Sequence, residues 1–234
     1  MFSQSQALYD LIYGGMKDYA AEAREIASRI RSACPGAHAV LDVACGTGEH
    51  ARHLAAEGFA VDGIDLDPEF VRIARAKHPA GRFECADMRE FALGRTYDAV
   101  LCMFSSIAYA RTPEGVTAAL SRCRAHVSPG GLVIVEPWFT PDAFMPGHVH
   151  LKTAEAAGVH VARMSHASVV GRLSRIHFEY LVGRADGIAH LVEDHEAGLF
   201  TIDEMLACFA AAGLSGAHER GGPMGRGLYV ARPV

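Results

Sequence analysis

Ala39-Val40-Leu41-Asp42-Val43-Ala44-Cys45-Gly46-Thr47-Gly48-Glu49-His50 decides the fold. An apolar run ends in an acid and a turn of small residues. Ala51-Arg52-His53-Leu54-Ala55-Ala56 then continues with helical character. The pattern is strand, tight turn, helix start. Gly46 and Gly48 free the backbone to turn sharply and let a ligand approach closely. The helix N-terminus leaves N–H groups aimed at that ligand. The stretch predicts a binding site for something small and partly polar.

Outward from it, short apolar runs alternate with helical segments. Candidate strands are 40–43, 60–64, 82–85, 97–103 and 132–135, with helices at 49–57, 68–77 and 113–127. Such alternation predicts an α/β fold, a parallel sheet with helices on both faces and ligands beyond the strands' carboxyl ends. Upstream, residues 5–33 read as two helices broken at Gly14-Gly15, either packed on the core or covering the binding turn. Residues 137–150 read as loop. Runs at 159–170, 172–182 and 188–197 then alternate with period two, which predicts a small antiparallel sheet inserted over one edge of the site. Thr201 with Glu204 signals a helix start, Gly213 its stop, and 214–219 with 227–231 a closing hairpin. The expected division is a main unit of 1–137 plus 198–234 and an inserted substrate-binding or lid region at 138–197.

The chain has 234 residues, half of them apolar, and a formal charge of −5. That supports a full core and argues against a nucleic-acid partner. Six cysteines without a Cys-x-x-Cys pair suit a reducing compartment. Met1-Phe2-Ser3-Gln4 lacks the marks of a signal peptide, and no apolar run reaches membrane-spanning length. A cytoplasmic protein without a membrane partner is expected.

Gly46-Thr47-Gly48-Glu49-His50-Ala51 fits the loose dinucleotide fingerprint, so an NAD-dependent oxidoreductase is one reading. Asp42 opposes it, because an acid there repels a pyrophosphate and suits a ligand with a positive centre. S-adenosylmethionine, with its sulfonium and ammonium, is such a ligand. Asp65, at the end of the second strand, suits the two ribose hydroxyls. Asp87, after the third, suits an adenine amino group, with Met88 packed on the ring.

With the Asp-x-Ala-x-Gly-x-Gly turn, Asp65 and Asp87-Met88, the chain resembles a class I S-adenosylmethionine-dependent methyltransferase with a Rossmann-like sheet. The fourth strand runs into Met103-Phe104-Ser105-Ser106-Ile107-Ala108-Tyr109, without the Asn/Asp-Pro-Pro-aromatic motif of nucleobase methyltransferases. This block, Glu136-Pro137-Trp138-Phe139, Lys17-Asp18-Tyr19, Arg163-Met164-Ser165-His166 and the Gly221–Leu228 stretch are similar to a narrower family. It is the dTDP-aminosugar N,N-dimethyltransferases, which make sugars such as desosamine and mycaminose for antibiotics.

The resemblance implies roles. Tyr9, Lys17, Ala44, Gly46, Asp65, Asp87, Met88 and Met103 would bind S-adenosylmethionine. Ser106, Tyr109, Trp138, Arg163, Ser165 and Arg226 would face a nucleotide-linked amino sugar, with Arg226 toward its diphosphate. The chain departs from the family pattern at Trp138-Phe139-Thr140, where Trp-Trp-Phe is usual, and at the N-terminus, where Phe2 stands nearest an expected aromatic contact. Both departures touch the substrate pocket. The alternative acceptor is another small-molecule amine or hydroxyl.

Methyl transfer is an in-line displacement, so alignment and exclusion of water carry the rate, with Tyr109 positioning the amine or relaying its proton. His148, His150, His190 and His195 show no zinc-type spacing and read as exposed strand and loop residues, so no metal is expected. The inserted sheet leaves two arrangements open, pairing across a homodimer or acting as a lid.

Overall fold

In a computed structural model of the chain, residues 5–234 are described; Phe2 lies outside them. The main sheet has seven strands: β1 (Ala39–Val43), β2 (Ala60–Asp65), β3 (Phe83–Cys85), β4 (Tyr97–Cys102), β5 (Val127–Val135), β10 (Leu214–Glu219) and β11 (Leu228–Pro233). Their order is β10-β11-β5-β4-β1-β2-β3. β1 to β5 pair in parallel, β11 runs antiparallel to β5, and β10 to β11. The order reverses at β1, whose carboxyl end carries the turn after Val43, and ligands bind at such switch points.

Both faces of the sheet are covered, which is why its central strands read as unbroken apolar runs. Leu41, Val43, Val100 and Val133 pack against α5 (Pro113–His126) and α6 (Ile202–Ala211). Val40, Val61, Ala99 and Ile134 pack against α2 (Tyr19–Ala33), α3 (Glu49–Ala56) and α4 (Pro68–Lys77). Capping acids and hydroxyls fix the helix starts: Asp18 for α2, Asp67 before Pro68 for α4, Thr112 before Pro113 for α5. Thr201 and Glu204 form a complete capping box on α6.

A second, antiparallel sheet has the order β6-β7-β8-β9: β6 (Val149–Ala156), β7 (Val159–Val170), β8 (Leu173–Arg184) and β9 (Gly187–Gly198). The loop expected over 137–150 ends at β6, an edge strand that sequence reading did not assign. Its mostly exposed Thr153-Ala154-Glu155-Ala156 carries few strand-forming residues. The hairpin Ala157-Gly158, with φ of 48° and 76°, pairs it to β7 instead. β5 also begins earlier than expected, at Val127.

The N-terminal helices fill both roles weighed for them. Ile26 and Ile30 of α2 are buried against the main sheet. The first helix, α1 (Tyr9–Gly14), lies under the second sheet, where Ile12 and Tyr13 pack with Val161, Phe178 and Tyr180. Among the described residues, no helix is long and apolar enough to cross a membrane.

Candidate active site

The turn after β1 is held by backbone geometry and by one acid. Gly46 and Gly48 take φ of 54° and 78°, in the left-handed region that glycine adopts without strain. A Cβ on Gly48 would stand 3.0 Å from the Ala74 side chain, so α4 packs on the turn itself. Asp65, at the end of β2, accepts from Gly46 N (2.8 Å) and Asp67 N (2.9 Å), one on each carboxylate oxygen. Burial pushes its carboxyl up, and these backbone bonds oppose the rise. Asp65 also borders a groove.

That groove has two continuous halves that share Tyr9, Ala44, Gly46 and Ser106. Asp65, Phe70, Asp87, Met88 and Tyr109 border one half. Asp42, Tyr19, His50, Met103 and Phe104 border the other. Asp42 is 1% exposed, and its Oδ2 has no hydrogen-bond partner among the described residues. Burial pushes its carboxyl up to about 6; His50 opposes the rise and Asp65 adds to it. A buried, unpartnered carboxylate oxygen beside a groove is a polar group waiting for a donor.

Structure brings most of the expected cofactor residues together along this groove, with two qualifications. Asp87 already accepts from Arg89 on both carboxylate oxygens, which holds its carboxyl below the usual range. Lys17 stands behind the groove wall, its ammonium 4.0 Å from the Phe104 ring centroid. There it ion-pairs with buried Glu22 (2.9 Å), which also bonds His50 (2.9 Å). Burial raises Glu22, but the bonds from His50 and Lys17 outweigh it and hold the acid below its usual range. Above the groove, Tyr9 rests edge-on against Phe70 and close to Tyr13. Asp10 bonds Thr47 of the turn, and Lys77 bridges Asp10 and Glu49, so α1 is tied down as a cover.

The substrate-side residues come from four segments: β7, the stretch after β5, the β10–β11 connection and the Ser106–Ala110 turn. Arg163, 4% exposed on β7, donates to the Tyr13 hydroxyl (2.9 Å) and lies against the Tyr13 and Phe178 rings. Ser165 shares its face of β7. Trp138 donates to Ser174 (2.9 Å). Arg226 donates to Ser105, the Pro137 carbonyl and Glu136, and stacks near Trp138 and Phe139. Tyr109 bonds His195 Nδ1 at 2.6 Å.

That last contact corrects an expectation. His195 was expected on an exposed strand or loop; it is 5% exposed and points inward. Side chains alternate across β9, so Glu193 and His195 face the interior while His190 and Asp194 face outward. Glu136 was read only as part of a motif, yet it is fully buried at the end of β5. An acid ending a core strand, like Asp42 and Asp65, was the signal available for it. Among the described residues, no group of His, Cys, Asp and Glu is arranged to hold a metal ion.

A model of the methyltransferase domain matches residues 40–131. A dTDP-3-amino-3,6-dideoxy-alpha-D-glucopyranose N,N-dimethyltransferase of Streptomyces fradiae is 46% identical over 97% of this chain and 89% of its own length. The crystal structure of DesVI from Streptomyces venezuelae superposes with a TM-score of 0.94 at 40% identity, covering all of both chains. The structure of CalS10 from Micromonospora echinaspora, an amino pentose methyltransferase with S-adenosylmethionine bound, gives 0.88 at 38%, over 100% and 98%.

Fold and groove thus define a class I S-adenosylmethionine-dependent methyltransferase. Asp42's buried, unpartnered oxygen fits a ligand with a positive centre, and Asp65's carboxylate, bordering the groove, fits one with hydroxyl donors. Within that class, the chain belongs to the dTDP-aminosugar N,N-dimethyltransferases.

Proposed function

We propose that this enzyme methylates, twice, the amino group of a dTDP-linked amino sugar. One observation carries the acceptor class. The general methyltransferase-domain match stops at residue 131, whereas the likeness to the sugar enzymes runs on through the second sheet and the closing hairpin. What is shared beyond the cofactor half is the part that would hold the acceptor.

Bound S-adenosylmethionine supplies a methyl group already activated on a sulfonium. The chain's work is to bind, orient and exclude water. Tyr9, Ala44, Gly46, Asp65, Asp87, Met88 and Met103 would hold the cofactor, with Lys17 supporting the wall behind Phe104. Ser106, Tyr109, Trp138, Arg163, Ser165 and Arg226 would face the sugar nucleotide, with Tyr109 nearest the reacting amine. Orientation of this kind is worth roughly 7–11 kcal/mol of barrier. Residues 138–197 would form the substrate-binding or lid region on the unit made by 1–137 and 198–234. Unpaired thiols at all six cysteines suit a reducing cytoplasm, and the product would serve antibiotic-type glycosides.

The test is direct. Purified enzyme, S-adenosylmethionine and a dTDP-3-amino sugar are incubated, and the acceptor is followed by mass spectrometry. Gain of one and then two methyl groups is expected. An unchanged sugar, with cofactor binding shown by calorimetry, would redirect the reading to another small amine or hydroxyl.

A further inference from the structure

Tyr109 borders the groove, and its hydroxyl touches one nitrogen of a buried histidine, His195 Nδ1, at 2.6 Å. The other ring nitrogen, Nε2, faces Glu193 Oε2 at 3.7 Å. Glu193 is buried and serves as an acceptor: Ser5 N (3.1 Å), Ser5 Oγ (2.7 Å) and Tyr180 OH (3.3 Å) all donate to its carboxylate. At 3.7 Å the contact is electrostatic and not a hydrogen bond, and a carboxylate there favours an Nε2–H over an Nε2 lone pair, which selects the Nε2–H tautomer of the histidine. Nδ1 is then a lone pair, and the Tyr109 hydroxyl must donate its hydrogen to it. The Tyr109 oxygen then keeps lone pairs able to accept a hydrogen bond.

We infer that His195 is a positioning residue that fixes Tyr109 as a hydrogen-bond acceptor toward the N–H bonds of the substrate amine. This rests on the function proposed above. It has a chemical consequence for the number of methyl groups. A neutral primary amine offers Tyr109 two N–H bonds and a secondary amine one. The second transfer forms a tertiary ammonium with one N–H, and only when that proton has passed to water is there a neutral amine with none to offer Tyr109.

Protonation of His195 reverses the arrangement. An Nδ1–H would donate to the Tyr109 oxygen and turn the hydroxyl hydrogen into the groove, against the amine. Burial holds His195 below its ordinary range, with Glu193 opposing, so the reversal is confined to acid pH. Among the described residues, the groups acting on it include Tyr109 from the Ser106–Ala110 turn, Glu193 of its own strand and Arg163 of β7.

The test is a variant cycle assayed with a dTDP-amino sugar. His195→Phe keeps a ring but accepts no hydrogen bond, and kcat/KM for the acceptor should fall about tenfold with cofactor affinity unchanged. His195→Asn, whose amide oxygen can take the place of Nδ1, should recover most of the loss and remove the acid limb that His195 contributes. In a Tyr109→Phe background, His195→Phe should cost nothing further, because the hydroxyl it orients is gone. Equal costs in both backgrounds, or no recovery in His195→Asn, would assign His195 to packing alone and overturn the inference. An inactive wild type that binds cofactor would overturn the function itself, and this inference with it. If His195→Phe fails to fold, His195→Asn and its pH profile decide.

Discussion

Arg226 donates to Glu136 Oε1 at 3.0 Å while the other oxygen of Glu136 accepts from Phe104 N at 2.7 Å. One buried carboxylate thus joins the C-terminal hairpin to the turn after β4. That turn is strained, with Phe104 and Ser105 at φ of 52° and 64°, a region side-chain-bearing residues seldom occupy. Ser105 donates to the Pro137 carbonyl and accepts from Arg226, closing the network. Met103 and Ser106, on either side of the turn, line the groove.

Removing one partner of this pair should be costly. Arg226→Met leaves a buried carboxylate without its cation, and urea unfolding should show a loss of about 3–5 kcal/mol. Arg226→Met combined with Glu136→Gln should recover a good part of that. A double variant as unstable as Arg226→Met would show that Glu136 is not the group left stranded. Arg226→Lys keeps the charge but not the fork, so its acceptor KM should rise with cofactor affinity unchanged.

Asp42 should move stability and binding in opposite directions. Its carboxyl sits at about 6 when folded, above the 3.8 of an ordinary aspartate. Between those values the folded chain holds a proton the unfolded chain has lost, so stability falls as pH rises through the window and stays lower above it. Asp42→Asn removes this cost, and the unliganded protein should gain up to about 3 kcal/mol at neutral pH in urea unfolding. The same change removes the anion facing the cofactor, and calorimetry should show S-adenosylmethionine binding weakened by roughly tenfold or more. In the wild type, affinity should decline as pH falls through about 6.

Asp65 braces the turn and serves the ligand at once. Asp65→Asn has one acceptor oxygen where two backbone N–H groups, from Gly46 and Asp67, now bond separate oxygens. Cofactor affinity should drop by roughly 10–100-fold, with a stability loss of about 1–3 kcal/mol. Weakened binding with unchanged unfolding would mean that the turn is braced by other groups.

Lys77 fastens the α1 cover through Asp10 (2.6 Å) and Glu49 (2.7 Å). The pair is partly exposed, so Lys77→Met should cost less than about 1 kcal/mol of stability. Its effect should lie in kinetics, as faster cofactor release in stopped flow. Added salt should narrow the gap between wild type and variant by screening the ion pairs.

Chelator should leave turnover unchanged. The outer face of the second sheet does cluster His177, His190, Glu179 and Asp194, but they pair with one another there. Loss of activity in chelator, restored by a divalent ion, would contradict this.

Local chemistry in the sequence determined the parallel sheet, the glycine turn at 46–48 and the acids Asp42, Asp65 and Asp87 near strand ends. Each is dictated by neighbours within a few residues, because strand period, turn conformation and helix caps are short-range effects. The second sheet was legible wherever its strands alternate, and not at β6, whose exposed edge buries too little to leave a pattern. Tertiary structure alone decided which side chains meet across long separations. It turned His195 rather than Asp194 toward Tyr109, because the parity of β9 sets which face is buried and that buried face is polar. It paired Arg226 with Glu136 and His50 with Glu22. A buried charge takes its partner from whatever the fold places beside it, and no spacing along the chain encodes that choice.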